Sequence, residues 1–117
     1  NACNFSPART GTLNGVMTVA AVDQSEREAS WSNYGACVDI WAPGVSIPST
    51  WLRGGTNTLS GTSMAAPHVA GTAGLLLSRM SSYLPDRVES DLKSTAVLTG
   101  TASKDGTPIR RVFAGAY

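Results

Sequence analysis

Ser63 is the residue in this sequence best placed to do chemistry. It follows Gly61 and Thr62 and precedes Met64, Ala65, Ala66, Pro67 and His68, in a run whose composition predicts a helix from Gly61–Ser63 to about Met80. A serine at a helix N-terminus faces unpaired backbone N–H groups and the positive end of the helix dipole. Both stabilise developing negative charge, as acyl transfer through a serine hydroxyl requires. Gly61 permits close backbone approach, and small Ala65 and Ala66 leave space beside the hydroxyl. On residue types alone a simpler reading stands beside this one: Ser63 caps a helix whose Ala66, Ala70 and Ala73 pack tightly in a core. His68 is the only histidine. Five residues of α-helix turn through about 500°, which leaves Ser63 and His68 about 140° apart around the axis. His68 is therefore read as structural and not as a base.

Two other features carry chemical weight. Asp39 is a charge inside the apolar run Cys37–Ala42, and a buried carboxylate needs a salt bridge or the hydrogen bonds of a strand end. Cys3 and Cys37 are 34 residues apart and lack the Cys-x-x-Cys or Cys/His clustering of zinc or thioredoxin-type sites. They form a disulfide or remain two thiols. Closing such a loop contributes about 3–4 kcal/mol by chain entropy, which counts only in an oxidising, extracellular compartment.

The elements that must position these groups follow from pattern. The chain has 117 residues, 42% hydrophobic and 15% charged, so it can bury a core. Its net charge is +1, and its basic residues are scattered except for Arg110 and Arg111, which argues against nucleic acid as a partner. No apolar run reaches the roughly 18–20 residues of a membrane span, and any export signal is expected outside the chain. Asn1–Gly15 reads as surface turn, and Val16–Val22 as a strand covered on both faces. Asp23–Ser30 reads as loop, and Cys37–Ala42 as a second strand closed by Pro43-Gly44. Arg53–Thr58 has hairpin-turn composition, and Pro67 is expected near the first turn of the Ser63 helix. Pro85 opens a second helix with Val88, Leu92 and Ala96 on its buried face, and Val112–Ala114 is expected as a short terminal strand. There is no internal repeat or linker.

The segment Gly61-Thr62-Ser63-Met64-Ala65-Ala66-Pro67-His68 is similar to the nucleophile motif of the subtilase family. Asn4–Ala8, Thr18–Val22, Ser32–Gly35 and Asp39–Gly44 resemble, in order, its proteinase K and aqualysin branch. The resemblance is strong from about residue 2 to residue 80 and weak beyond. It implies an α/β fold, a doubly wound and mainly parallel sheet in a three-layer α/β/α sandwich, of which residues 1–117 form the C-terminal portion. It makes Ser63 the nucleophile of a serine endopeptidase, with the Ser63 backbone N–H as one oxyanion donor. The family's aspartate, histidine and side-chain oxyanion asparagine come earlier in the chain order, and Asn1 is not assigned that last role.

By the same resemblance, Phe5 and Pro7 line the primary specificity pocket, and Cys3 pairs with Cys37, since aqualysin-like members have cysteines at both places. No cofactor is needed for the chemistry. A structural calcium ion is expected on the Asp39 carboxylate and on backbone carbonyls near Asn14 and Val16, in a loop that carries extra residues around Thr10–Val16. The expected partners are peptide or protein substrates and the N-terminal portion of the same domain, in a secreted, extracellular enzyme. The alternative is a pseudo-peptidase or binding domain that keeps the fold and lacks the chemistry.

Overall fold

The computed structural model describes all residues from Asn1 to Tyr117. In chain order the elements are β1 (Val19–Val22), β2 (Ile40–Pro43), β3 (Ile47–Thr50), β4 (Thr56–Leu59), α1 (Thr62–Arg79), α2 (Pro85–Thr95), β5 (Val97–Ala102) and β6 (Pro108–Arg111). Strands β1, β2 and β6 are parallel, β5 lies antiparallel at the edge, and the sheet order is β1-β2-β6-β5. Strands β3 and β4 form a separate hairpin.

Period-two alternation gives each face of β1 and β2 its own cluster. Val19, Ala21, Ile40 and Ala42 point to the helices, where Ala65, Val69, Leu76, Val88 and Leu92 meet them. Ala20, Val22 and Trp41 point the other way and join Ile109 of β6. Ala21 lies opposite Ala42 in the ladder, so little side-chain bulk holds α1 away from the sheet. On α1 the buried stripe is Ala65, Val69, Thr72 and Leu76, at helical spacing. Ala66, Ala70 and Leu77 flank this stripe on one side and Leu75 on the other, and all four are exposed.

The two parallel strands are shorter than expected at their N-terminal ends. Val16 is still in a turn, its N–H bonded to the Leu13 carbonyl, and Val38 is likewise bonded to Gly35. Thr18 and Asp39 bridge the gap: the Asp39 N–H meets the Thr18 carbonyl and the Thr18 N–H meets the Asp39 carboxylate. Pro67 is the sixth helical residue, one turn deeper than expected. The N–H it lacks would have bonded the Ser63 carbonyl. The expected strand at Val112–Ala114 is displaced: β6 ends at Arg111, the Val112 N–H bonds the Trp41 carbonyl, and residues 114–116 form a 3-10 turn. Strand β5 escaped the pattern because it is an exposed edge strand with no apolar alternation. Asp105-Gly106, with Gly106 at φ 88°, was its one hairpin signal.

Cys3 and Cys37 are joined as a disulfide, which ties the opening turn to the approach to β2. Blocking native, unreduced protein with iodoacetamide should therefore label neither cysteine. Cys37→Ser should lower unfolding free energy by about 3 kcal/mol, read from chemical denaturation. Quantitative alkylation of the untreated protein would contradict the bond.

Candidate active site

The C-terminal ends of β1 and β2 are where the chain assembles its chemistry. Past β2 the backbone turns at Gly44, whose N–H bonds the Val22 carbonyl at 3.0 Å and whose carbonyl accepts the Gly61 N–H at 2.8 Å. A Cβ on Gly44 would lie 2.6 Å from the Ala21 Cβ and 2.9 Å from the Gly61 carbonyl oxygen, so only glycine allows this backbone approach. The Ser46 N–H bonds Ser60 Oγ at 2.8 Å and adds a second pin. Helix α1 thus begins over the ends of two parallel strands, the usual ligand position in an open α/β sheet.

Gly61 caps α1 with its backbone alone; neither Thr62 nor Ser63 acts as the side-chain cap that their types suggested. The first backbone bonds of the helix run from Met64 and Ala65 to the Gly61 carbonyl, at 3.0 and 3.3 Å. The Ser63 N–H therefore sits in the open first turn, with the exposed Ser63 side chain beside it. His68 lines the same cleft as Ser63, together with Ile47, Pro48, Ser49, Met64 and Pro67. Its Nδ1, however, lies 2.8 Å from the Met64 carbonyl oxygen, one turn back along the helix. Donation there commits that nitrogen to the backbone.

A second cleft, of about 390 Å³, opens on the other side of Ser63 and is lined by Pro7, Ala8, Thr10, Thr18 and Ala66 among others. Pro7 and Ser63 thus line one cleft. Phe5 is 56% exposed and does not line this cleft. Val16 lines it, whereas Asn14 faces a separate polar cleft with Asp86, Glu89, Ser90 and Lys93.

Asp39 is held by protein groups. Its side chain is 4% exposed; Oδ2 accepts the Thr18 N–H and Oδ1 accepts Lys93 Nζ, both at 2.8 Å. The hydrogen bond to Asp39 is the main reason the Lys93 ammonium loses its proton at higher pH than a free lysine, with Glu89 adding to the effect. The lysine therefore keeps its charge throughout the ordinary lysine range and gives it up only as pH rises through the raised value. This arrangement does not fit the expected calcium ion. A dication would share one carboxylate with an ammonium, and the backbone of Gly11 is packed so closely on Oδ2 that a Cβ there would lie 2.7 Å from it. No three His, Cys, Asp or Glu side chains converge anywhere on residues 1–117. Lys93 was missed at the sequence level because its partners are 54 residues and one helical turn away. The i,i+4 pair Glu89–Lys93 was the only local trace of it.

Comparison with known proteins gives this geometry a context. The model of the subtilase family matches residues 4–114, well past the point where the sequence resemblance fades. The chain is 51% identical over 82% of its length to alkaline serine exoprotease A of Vibrio alginolyticus. It is 48% identical over 98% of its length to subtilisin-like serine protease AsES of Sarocladium strictum. It spans only 17% and 29% of those two proteins. A crystal structure of a cold-adapted subtilisin-like serine proteinase superposes with a TM-score of 0.89 at 40% identity, covering 97% of this chain and 41% of that one.

The Gly44–Gly61 contact generates a prediction. Gly44→Ala should cost about 1–3 kcal/mol of stability, the scale of overpacking, and should shift the amide NMR signals of Gly61, Thr62 and Ser63 far more than those of α2. Unchanged Gly61–Ser63 signals would show that the helix start does not depend on this approach.

Proposed function

This chain belongs to the subtilase family, and from that premise we propose that it is the nucleophile-bearing portion of a serine endopeptidase. The observation that carries the reading is Ser63 itself: an exposed hydroxyl beside its own free N–H, in the open first turn of α1, over the carboxyl ends of β1 and β2. In that setting Ser63 Oγ adds to the carbonyl carbon of a peptide bond. The oxygen of the tetrahedral adduct takes the negative charge and meets the Ser63 N–H and the positive end of α1. The C–N bond then breaks, the amine leaves with a proton, and water hydrolyses the ester on Ser63.

The proton lost by Ser63 needs a base, and the only imidazole of residues 1–117 sits about 140° around α1 from Ser63, its ring held by an Nδ1 bond to the Met64 carbonyl. The base and the carboxylate that orients it therefore belong to the portion of the protein that precedes this chain in the family's order. The same portion accounts for the exposed apolar side chains of α1: Ala66, Ala70 and Leu77 on one flank and Leu75 on the other are surfaces on which the preceding portion packs.

Substrates are peptides or proteins, and Pro7 forms part of the wall of the cleft beside Ser63. The protein is secreted: its disulfide needs an oxidising compartment, and a relative from a Thermus strain is named an extracellular serine proteinase.

The full-length protein should react with a fluorophosphonate probe at Ser63. Ser63→Ala should abolish labelling and lower amide hydrolysis by on the order of a million-fold. Residues 1–117 alone should stay unlabelled. Stoichiometric labelling of that isolated chain would place the base within it and overturn the division of roles.

A further inference from the structure

One ammonium group links three segments that are far apart in the sequence. Lys93 Nζ lies 2.8 Å from Asp39 Oδ1 at the root of β2 and 3.1 Å from Glu89 Oε1, one turn back on α2. Glu89 Oε2 accepts the Gly15 N–H at 2.7 Å, and Asp39 Oδ2 accepts the Thr18 N–H at 2.8 Å. Both ends of the Gly15–Thr18 turn are thus fastened to carboxylates that share Lys93. From Thr18 the connection continues: its Oγ1 donates to the Ala8 carbonyl at 2.7 Å. Ala8, Thr10 and Thr18 line the cleft that also holds Pro7 and Ser63.

We propose that Lys93 is a built-in cation: it holds the buried Asp39 carboxylate in the place of the expected calcium ion and, through Thr18 and Ala8, positions the wall of the Ser63 cleft. Two observations support it: the carboxylate has both oxygens in use, and the Gly11 backbone closes the side next to Oδ2. An ammonium delivers one charge and up to three hydrogen bonds from a tethered stem, so its hold on the turn needs no free ion. Lys93 touches no substrate in this scheme; it is a positioning residue, and its kinetic role rests on the peptidase reading above.

The test uses the full-length protein with Lys93→Met, Lys93→Arg, Asp39→Asn and the double variant Lys93→Met/Asp39→Asn. Each is melted in calcium and in excess chelator, and each is assayed for peptide hydrolysis. The melting shift produced by chelator should be the same in the parent and in Asp39→Asn. Lys93→Met should lower the melting temperature by several degrees by leaving a buried carboxylate unpaired. The double variant should recover much of that loss, and Lys93→Arg should keep most of the parent's stability. In Lys93→Met, KM should rise several-fold while kcat stays near the parent's. A chelator shift present in the parent and absent in Asp39→Asn would put calcium on Asp39 and overturn the proposal. So would an unchanged melting temperature in Lys93→Met. A lowered melting temperature with unchanged KM would overturn the positioning role. The melting arms decide the cation question even if no hydrolysis is found, in which case the peptidase reading fails and not this one.

Discussion

The backbone contact between Gly44 and Gly61 is the constraint from which the rest of the site follows. It joins the end of β2 to the start of α1 by one hydrogen bond of 2.8 Å, with no side chain between them. Because β1 and β2 are parallel and paired from Val19–Ile40 to Val22–Pro43, their carboxyl ends form one ledge, and the contact sets the first turn of α1 on it. Ala21, Ala42 and Ala65 are small where the helix crosses the sheet, so the ledge and the helix axis stay close. The position of Ser63 is thus fixed by an absence of side-chain volume. A serine on a flexible loop would have the same hydroxyl and none of this pre-organisation.

Two buried carboxylates do for the periphery what the glycines do for the centre. Asp39, 4% exposed, pairs with Lys93 of α2; Glu28, 3% exposed, accepts the Trp41 indole N–H at 3.0 Å and the Ser103 hydroxyl at 2.7 Å. Lys104 stands 3.7 Å from Glu28 and donates to the Ser32 carbonyl at 2.7 Å. In both cases a lysine from the last third of the chain neutralises an acid from the first third. A carboxylate left alone at such depth is strongly unfavourable, so these pairs dictate where α2 and the β5–β6 hairpin dock. Their specificity lies in register, since the charge has one place to go.

The central features were legible in the sequence because they are local. The Gly61-Thr62-Ser63 helix start, the strand around Val19–Val22 and the α2 face of Val88 and Leu92, with Ala96 buried just past its end, each depend on neighbours within a few residues. What was not legible depends on distant partners. The trimmed N-terminal ends of β1 and β2 arise because Thr18 gives its N–H to a carboxylate 21 residues away, which no periodicity reveals. The partner of Asp39, which its residue type left open between a salt bridge, a strand-end hydrogen bond and an ion, is a lysine 54 residues on. The β5–β6 hairpin lacked an apolar face to announce it, and the family match through residue 114 recovers that region. Phe5 is likewise exposed, which nothing in its own type announces.

The central claim is that these residues supply a nucleophile and an oxyanion donor, and that the base comes from elsewhere in the protein. The most direct measurement is a crystal structure of the full-length protein inactivated by a phosphonate ester. The account predicts phosphorus bonded to Ser63 Oγ and a phosphonyl oxygen within hydrogen-bond distance of the Ser63 N–H. It also predicts an imidazole from outside residues 1–117 on Ser63 Oγ, with His68 still on the Met64 carbonyl. An adduct on another residue, or a His68 ring turned from Met64 to Ser63 Oγ, would contradict it.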